Sequence, residues 1–169
     1  SAASDVYKRQ IPKAAKSLAD FGSGAGFPGM VLAIMAKEKT PYLKVSLIES
    51  IQKKTLYLKE VSQQTNTPVV IINDRIEKLK PQKFDVITSR AMTALNDLLG
   101  YAYPFCQKET VCIFPKGKNY SAELAEAHKH WHFKCRIEPS RISEEGRILI
   151  VTNIAKKKEK TNAKNFSRC

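Results

Sequence analysis

Long apolar runs are missing from this 169-residue chain: no stretch approaches the ~18 uninterrupted apolar residues that a bilayer-spanning helix needs. No basic-then-apolar leader with a cleavage site opens it, so a cytoplasmic location and no membrane partner are expected. Cysteine is scarce, and Cys106, Cys112, Cys135 and Cys169 form no CxxC pair, which points to free thiols rather than zinc or disulfides. His128, His130 and His132 alternate around Trp131 with no further ligand completing a set, so no metal site is expected. Acidic residues are also few, 16 against 29 Lys and Arg, leaving a net charge of +13. A small-metabolite enzyme has little use for such an excess, whereas a protein that docks on a phosphate backbone does. Part of the excess is local. Lys156, Lys157, Lys158, Lys160 and Lys164 crowd the end of the chain, either as a disordered solubilising tail or as an RNA contact, and Lys53, Lys54 and Lys59 read as a solvated helix face.

Glycine is rare as well, which makes its distribution informative: four of seven, Gly22, Gly24, Gly26 and Gly29, fall inside Leu-Ala-Asp-Phe-Gly-Ser-Gly-Ala-Gly-Phe-Pro-Gly, residues 18–29. An apolar strand, a glycine turn and the helical pattern from Met30 to Lys37 make a unit in which backbone can approach a nucleotide-like ligand closely. The next strand, Lys44 to Ile48, delivers Glu49 to its carboxyl end, where a carboxylate can take both hydroxyls of a ribose or else cap the following helix. Dinucleotide folds place a pyrophosphate at this turn, yet Asp20 would set a negative charge there. An acid suits a cation. The ammonium and sulfonium of S-adenosyl-L-methionine answer to Asp20, Gly22, Gly24, Gly26 and Glu49 better than a nicotinamide or flavin does, although Asp20 could merely cap the turn.

With 43% hydrophobic residues the chain can bury one good core. Strands are expected at about Ser17–Phe21, Lys44–Glu49, Val69–Ile72, Phe84–Thr88 and Thr110–Phe114, with helices at Pro28–Lys37, Ile51–Thr65, Leu95–Tyr103 and Ala122–His130. Ile51, Leu58, Val61 and Thr65 share one stripe of the second helix, and strands near Phe133–Ile137 and Arg147–Val151 close the chain. Repeated βα units imply an α/β, doubly wound, mostly parallel sheet, with ligands at the carboxyl ends of the strands. A single domain over 11–154 is expected, with 1–10 as a non-native leader and 155–169 as a basic, disordered tail.

The reaction loop then follows strand four and reads Ser89-Arg90-Ala91. It lacks the Asn/Asp-Pro-Pro-aromatic run used to bind an exocyclic amine. No cysteine close by could act as the nucleophile of a ring-carbon methylation, and Cys112 falls inside a strand, where burial is expected. A ring nitrogen with a free lone pair, such as guanine N7, needs neither device, because positioning alone brings it in line with a methyl donor. Arg90 suits reading guanine O6 or a phosphate, an ion pair with a neighbouring acid, or a clamp on a cofactor carboxylate.

Asp20 to Gly29, Leu47-Ile48-Glu49-Ser50 with Lys53, Arg75-Ile76-Glu77, Phe84-Asp85, Ser89-Arg90-Ala91, Lys116-Gly117 and Gly146-Arg147 together resemble the bacterial small-subunit (16S) ribosomal RNA guanine-N7 methyltransferases, the RsmG or GidB family. The resemblance runs from about Ser17 to Asn153. It implies a Rossmann-like class I S-adenosylmethionine-dependent methyltransferase with an antiparallel final strand. The cofactor would lie at Gly22 and Phe27, its ribose at Glu49 and its adenine near Ile76 and Glu77, with Arg90 at the active site. The implied substrate is a guanine of the 530 loop, position 527, in 16S rRNA or the small ribosomal subunit. Lys116 and Arg147 match basic family positions, as catalytic or RNA contacts or as structural ion pairs, and a monomer is expected.

Three features depart from the family. Its helical segment ahead of the first strand is almost wholly missing, Ser1–Gln10 matches no family segment, and Pro115 before Lys116 should end strand five early and shift the lysine. Two other classes compete: a methyltransferase of the same fold acting on another RNA, a protein or a small molecule, which leaves the charge unexplained, and a non-catalytic RNA-binding module, which has no use for Asp20 and Glu49 beside a glycine cradle.

Overall fold

The computed structural model describes residues 2–90 and 93–158. In chain order the elements are α1 (Ala2–Gln10), β1 (Ser17–Phe21), α2 (Gly29–Lys39), β2 (Lys44–Ile48), α3 (Gln52–Gln64), β3 (Val70–Ile72), β4 (Phe84–Ser89), α4 (Leu95–Ala102), β5 (Cys106–Lys116), α5 (Tyr120–His130), β6 (Trp131–Pro139) and β7 (Arg147–Lys156), with single 3₁₀ turns at Ile76–Lys78 and Tyr103–Phe105. They build one sheet in the order β3-β2-β1-β4-β5-β7-β6. β1 to β5 pair in parallel, and β7 runs antiparallel to both β5 and β6. The order reverses between β1 and β4, and the connections that leave their carboxyl ends run to helices on opposite faces, which leaves a crevice.

β1 is buried on both faces, so its side chains divide between two cores. Leu18 joins Tyr7, Met30, Leu32 and Leu58 on the α1–α2–α3 side. Ala19 and Phe21 join Leu95, Leu98, Leu99 and Trp131 on the α4–α5 side. Asp20 has Leu18's parity and so points its carboxyl into the first face, where it is fully buried.

The expected boundaries hold within a few residues for β1, α2, β2, β3, β4 and α4. Four details differ. The segment set apart as a leader is helical from Ala2, and its Val6 and Tyr7 are buried against the first core, so the packed unit includes it. Ile51 does not share the α3 stripe: it precedes the helix in an extended conformation and is 49% exposed, while Thr55 and Leu58 carry the buried face. β5 continues through Pro115 to Lys116, because β4 pairs no further than Ile113 and a proline is tolerated on a strand side that has become an edge. β7 continues to Lys156, so the start of the expected tail is strand, and Lys160, Lys164 and Cys169 lie outside the described residues.

The thiols of Cys106 and Cys112 lie 3.9 Å apart and Cys112 is fully buried. His132 sits in β6 rather than on α5, so the three histidines share no helix. His128 stacks on Phe133, and His130 pairs with Glu126, a carboxylate that the sequence reading passed over. No three metal-ligating side chains converge among the described residues, and no helix there is long and apolar enough to cross a membrane.

Candidate functional site

A cavity of about 380 Å³ opens at the carboxyl ends of β1, β2 and β4. Its lining includes Gly22, Glu49, Ile76, Glu77 and Arg90, five of the residues expected from sequence.

The glycine turn hangs from β2 by its own amides. Gly22 and Ser23 both donate N–H to the Ile48 carbonyl, at 2.8 and 3.1 Å, and Gly26 donates to Ser23 at 2.8 Å. Gly24 donates to Glu49 Oε1 at 2.9 Å, and the same carboxylate accepts Ile51 N–H through Oε2 at 2.9 Å. Each carboxylate oxygen retains a further lone pair, so Glu49 is held rigid at the cavity wall and can still accept two vicinal hydroxyls. Four N–H groups of the turn, those of Gly22, Ser23, Gly24 and Gly26, are thus spent on protein acceptors, which disfavours a pyrophosphate ligand.

Gly24 has φ +49°, and a Cβ there would stand 2.6 Å from Arg90 Nη1 and 2.7 Å from its Cζ. The Arg90 guanidinium therefore lies against the glycine turn. Ser89 steadies the exit of β4 by donating its hydroxyl to the Arg90 carbonyl at 2.8 Å. Ala91, read from sequence as part of this loop, lies outside the described residues.

Asp20, Gly24, Gly26 and Phe27 do not line the cavity and stand behind it. Asp20 accepts the Thr88 hydroxyl at 2.7 Å across the β1–β4 pair. Burial pushes its carboxyl up to about 6, with the hydrogen bonds from Thr88, Ser23 and Gly29 and the charge of Arg90 opposing that rise. A Cβ at Gly29 would come within 2.6 Å of Asp20 Cβ, so the glycine is set by the buried acid rather than by a ligand. Phe27 meets Tyr7 of α1 edge-on, 5.5 Å between centroids. Expected from sequence to face a cation in the site, Asp20 is fully buried, its carboxyl turned away from the cavity by its β1 parity.

Lys116 is 6% exposed and its Nζ lies 3.1 Å from Glu123 Oε1. It also donates to the Thr93 carbonyl. Of the catalytic, RNA-binding and ion-pair roles open to it, the geometry shows the ion pair. Arg147, its cross-strand neighbour on β7, places its guanidinium 5.4 Å from the Tyr120 ring centre and donates to the Glu144 and Gly146 carbonyls at 2.8 Å. It remains partly exposed.

The sequence reading missed Asp74, Thr93, Leu98 and Tyr101, all on the cavity wall, and took Lys54 for a solvated residue although it reaches the rim. The position of Asp74 after β3, on the same edge as Glu49, was a usable signal; Thr93 and Leu98 carried none, because α4 brings them in through packing. Tyr101 also lines a larger open groove of about 900 Å³, bordered by Lys129, Lys156, Lys157 and Lys158.

The profile of the rRNA small subunit methyltransferase G family (GidB) matches residues 5–148. This chain belongs to that family. It is 40% identical over 149 residues to the small-subunit methyltransferase G of Zymomonas mobilis, covering 88% of this chain and 65% of that protein. It is 39% identical over 146 residues to the Paramagnetospirillum magneticum protein of the same name, covering 86% of this chain and 69% of the relative. The chain thus spans about two thirds of the length of these relatives. Among solved structures, a SAM-dependent methyltransferase from Aquifex aeolicus superposes with a TM-score of 0.67 at 14% identity, over 88% of this chain and 87% of that one. A methyltransferase from Pyrococcus furiosus gives 0.67 at 16%, over 88% and 80%. At such identities the agreement shows the Rossmann-like class I fold. The GidB match begins inside α1, in keeping with the packing of Val6 and Tyr7.

Proposed function

We propose that the chain transfers a methyl group from S-adenosyl-L-methionine to N7 of a guanine in 16S ribosomal RNA, the guanine at position 527 of the 530 loop. The observation that carries this reading is the glycine turn with its amides already spent beside a fixed, cavity-facing Glu49. That pairing suits a ribose-bearing ligand without a pyrophosphate, and membership of the GidB family supplies the substrate class.

Glu49 would accept the ribose hydroxyls, and Ile76 with Glu77 would flank the adenine. Arg90, lying on the turn, is placed to hold the cofactor's carboxylate, which favours the clamp among the three roles open to it. When bound, S-adenosylmethionine supplies an electrophilic methyl on a sulfonium. Guanine N7 would take that methyl with its lone pair as the S–CH3 bond breaks, the sulfur leaving as a neutral thioether and the positive charge passing to the base; with no proton to remove, the chain's own task is alignment and exclusion of water. The β4 loop fits this economy: it offers no amine-binding Asn/Asp-Pro-Pro run, and the nearby Cys112 is buried in β5. The lysine-bordered groove that shares Tyr101 with the cavity gives a phosphate backbone a path to the site.

The test is transfer of labelled methyl from S-adenosylmethionine to small subunits lacking the modification, followed by borohydride reduction and aniline cleavage. Cleavage at the 530 loop is expected, and binding should weaken steeply with salt. A methyl on an exocyclic amine, a ring carbon or a ribose hydroxyl would refute the lone-pair argument, and a salt-independent affinity would refute RNA docking.

A further inference from the structure

We infer that Lys116 and Glu123 form an internal clasp that sets the wall of the cavity opposite the glycine turn, so that Lys116 is a positioning residue and not an RNA contact. The inference rests on the methyltransferase reading only for the meaning of the cavity.

The geometry closes around α4. That helix starts after Ala94, whose side chain cannot cap it, so the first amide, Leu95 N–H, needs an acceptor from elsewhere. Glu123 of α5 supplies it, with Oε1 at 2.9 Å, and places a carboxylate at the positive end of the α4 dipole. Lys116 neutralises that carboxylate at 3.1 Å and donates to the Thr93 carbonyl, two residues ahead of Leu95. Thr93 and Leu98 face the cavity, and Arg90 lies three residues before Thr93. The clasp therefore ties the end of β5 and the start of α5 to Thr93 and Leu95 at the start of α4.

A lysine 6% exposed and already paired has little left to offer a phosphate. Removing Glu123 would leave the buried Lys116 ammonium without its carboxylate, which is costly, and removing Lys116 would free the partly exposed Glu123, whereas the intact pair is held by three bonds. The extension of β5 past β4 is what lifts Lys116 to this height: without Pro115 and Lys116 in strand, no cation would reach Thr93.

The experiment compares the parent chain with Lys116→Met, Glu123→Gln and the double variant, reading S-adenosylmethionine affinity, turnover, the salt dependence of RNA binding, and hydrogen exchange at Leu95. Each single variant should lose on the order of 100-fold in turnover, with the double no worse than the more damaged single. Protection of the Leu95 amide should fall in Lys116→Met, where Glu123 loses the cation that holds it, whereas Glu123→Gln keeps an oxygen for that amide and loses the ion pair. The salt slope should stay at the parent value. A slope lowered by about 0.7–0.9 in Lys116→Met alone would show a phosphate contact and overturn the inference, as would parental turnover in both singles with parental Leu95 protection in Lys116→Met. Glu123→Gln, nearly isosteric, keeps the test open if Lys116→Met does not fold. A parent without methyl transfer would sink the rRNA reading and leave the exchange and cofactor measurements to judge the clasp.

Discussion

On the β1–β2 side of the cavity the backbone builds the wall: five amides, those of Gly22, Ser23, Gly24, Gly26 and Ile51, fix the turn and orient Glu49. On the β4–β5 side the wall is held by side chains, Lys116 and Glu123 above all, reaching between elements distant in sequence. A wall made of backbone leaves its mark as glycines at short spacing. A wall made of side chains leaves isolated charged residues whose partners only the fold reveals. Arg90 joins the two, since it leaves β4 and lies on Gly24.

The largest effect should therefore come from striking that junction. Gly24→Val forces a β-branched residue to φ +49° and drives its Cβ into the Arg90 guanidinium. Strain of about 1–3 kcal/mol adds to a displaced arginine, so S-adenosylmethionine affinity measured by calorimetry should fall on the order of 100-fold or more. Glu49→Ala should fall nearly as far, because the ribose hydroxyls lose their acceptor and the buried Gly24 N–H loses its own, at about 1–3 kcal/mol for that donor. Parental affinity in either variant would show that the cavity is not the cofactor site.

A smaller effect separates support from contact. Asp20 titrates at about 6 in the folded chain against its ordinary 3.8, so between those values the folded state holds the proton more tightly than the unfolded state. Its contribution is fully present at low pH and is lost as pH rises through about 6, a swing of about 3 kcal/mol. Asp20→Asn keeps an oxygen for the Thr88 hydroxyl and cannot ionise. Urea unfolding across pH 4 to 8 should show the variant gaining stability over the parent as pH rises, with no loss of S-adenosylmethionine affinity near pH 5. If affinity instead collapses in the variant, the carboxylate touches the cofactor after all and the backbone wall includes a charge.

Much of the fold is legible in the sequence, and the reason is local. Alternating β-branched runs and helical patterns marked β1, β2 and β4 within a residue, and the turn with Glu49 followed from residues close along the chain. Legibility failed where a residue's role is set from afar. Pro115 reads as a strand breaker until β4 is seen to stop pairing at Ile113. Asp20 sits at a functional spacing but its β1 parity sends it into the core. Lys116 looks like one cation among 29, and its burial depends on Glu123, which a sequence can place on α5 but not opposite Leu95.

The smallest predicted effect is the loss of one hydroxyl, that of Tyr7, from α1, the element least visible in the sequence. Tyr7 is 1% exposed and meets Phe27 of the glycine turn edge-on, so the helix buttresses the backbone wall by aromatic packing. Its hydroxyl is buried and has no hydrogen-bond partner among the described residues, and burial next to the Asp20 carboxylate raises the phenol above its ordinary value. A desolvated hydroxyl without a partner contributes nothing favourable, so Tyr7→Phe should be neutral or stabilising by up to about 1 kcal/mol. Tyr7→Ala removes the ring and should cost about 3–5 kcal/mol. Urea midpoints for the two variants distinguish packing from polarity: a Tyr7→Phe loss well beyond 1 kcal/mol would mean that the hydroxyl is bonded, with Asp20 its nearest charged neighbour, and the buttress would then be electrostatic, built like the β4–β5 wall rather than the one it supports.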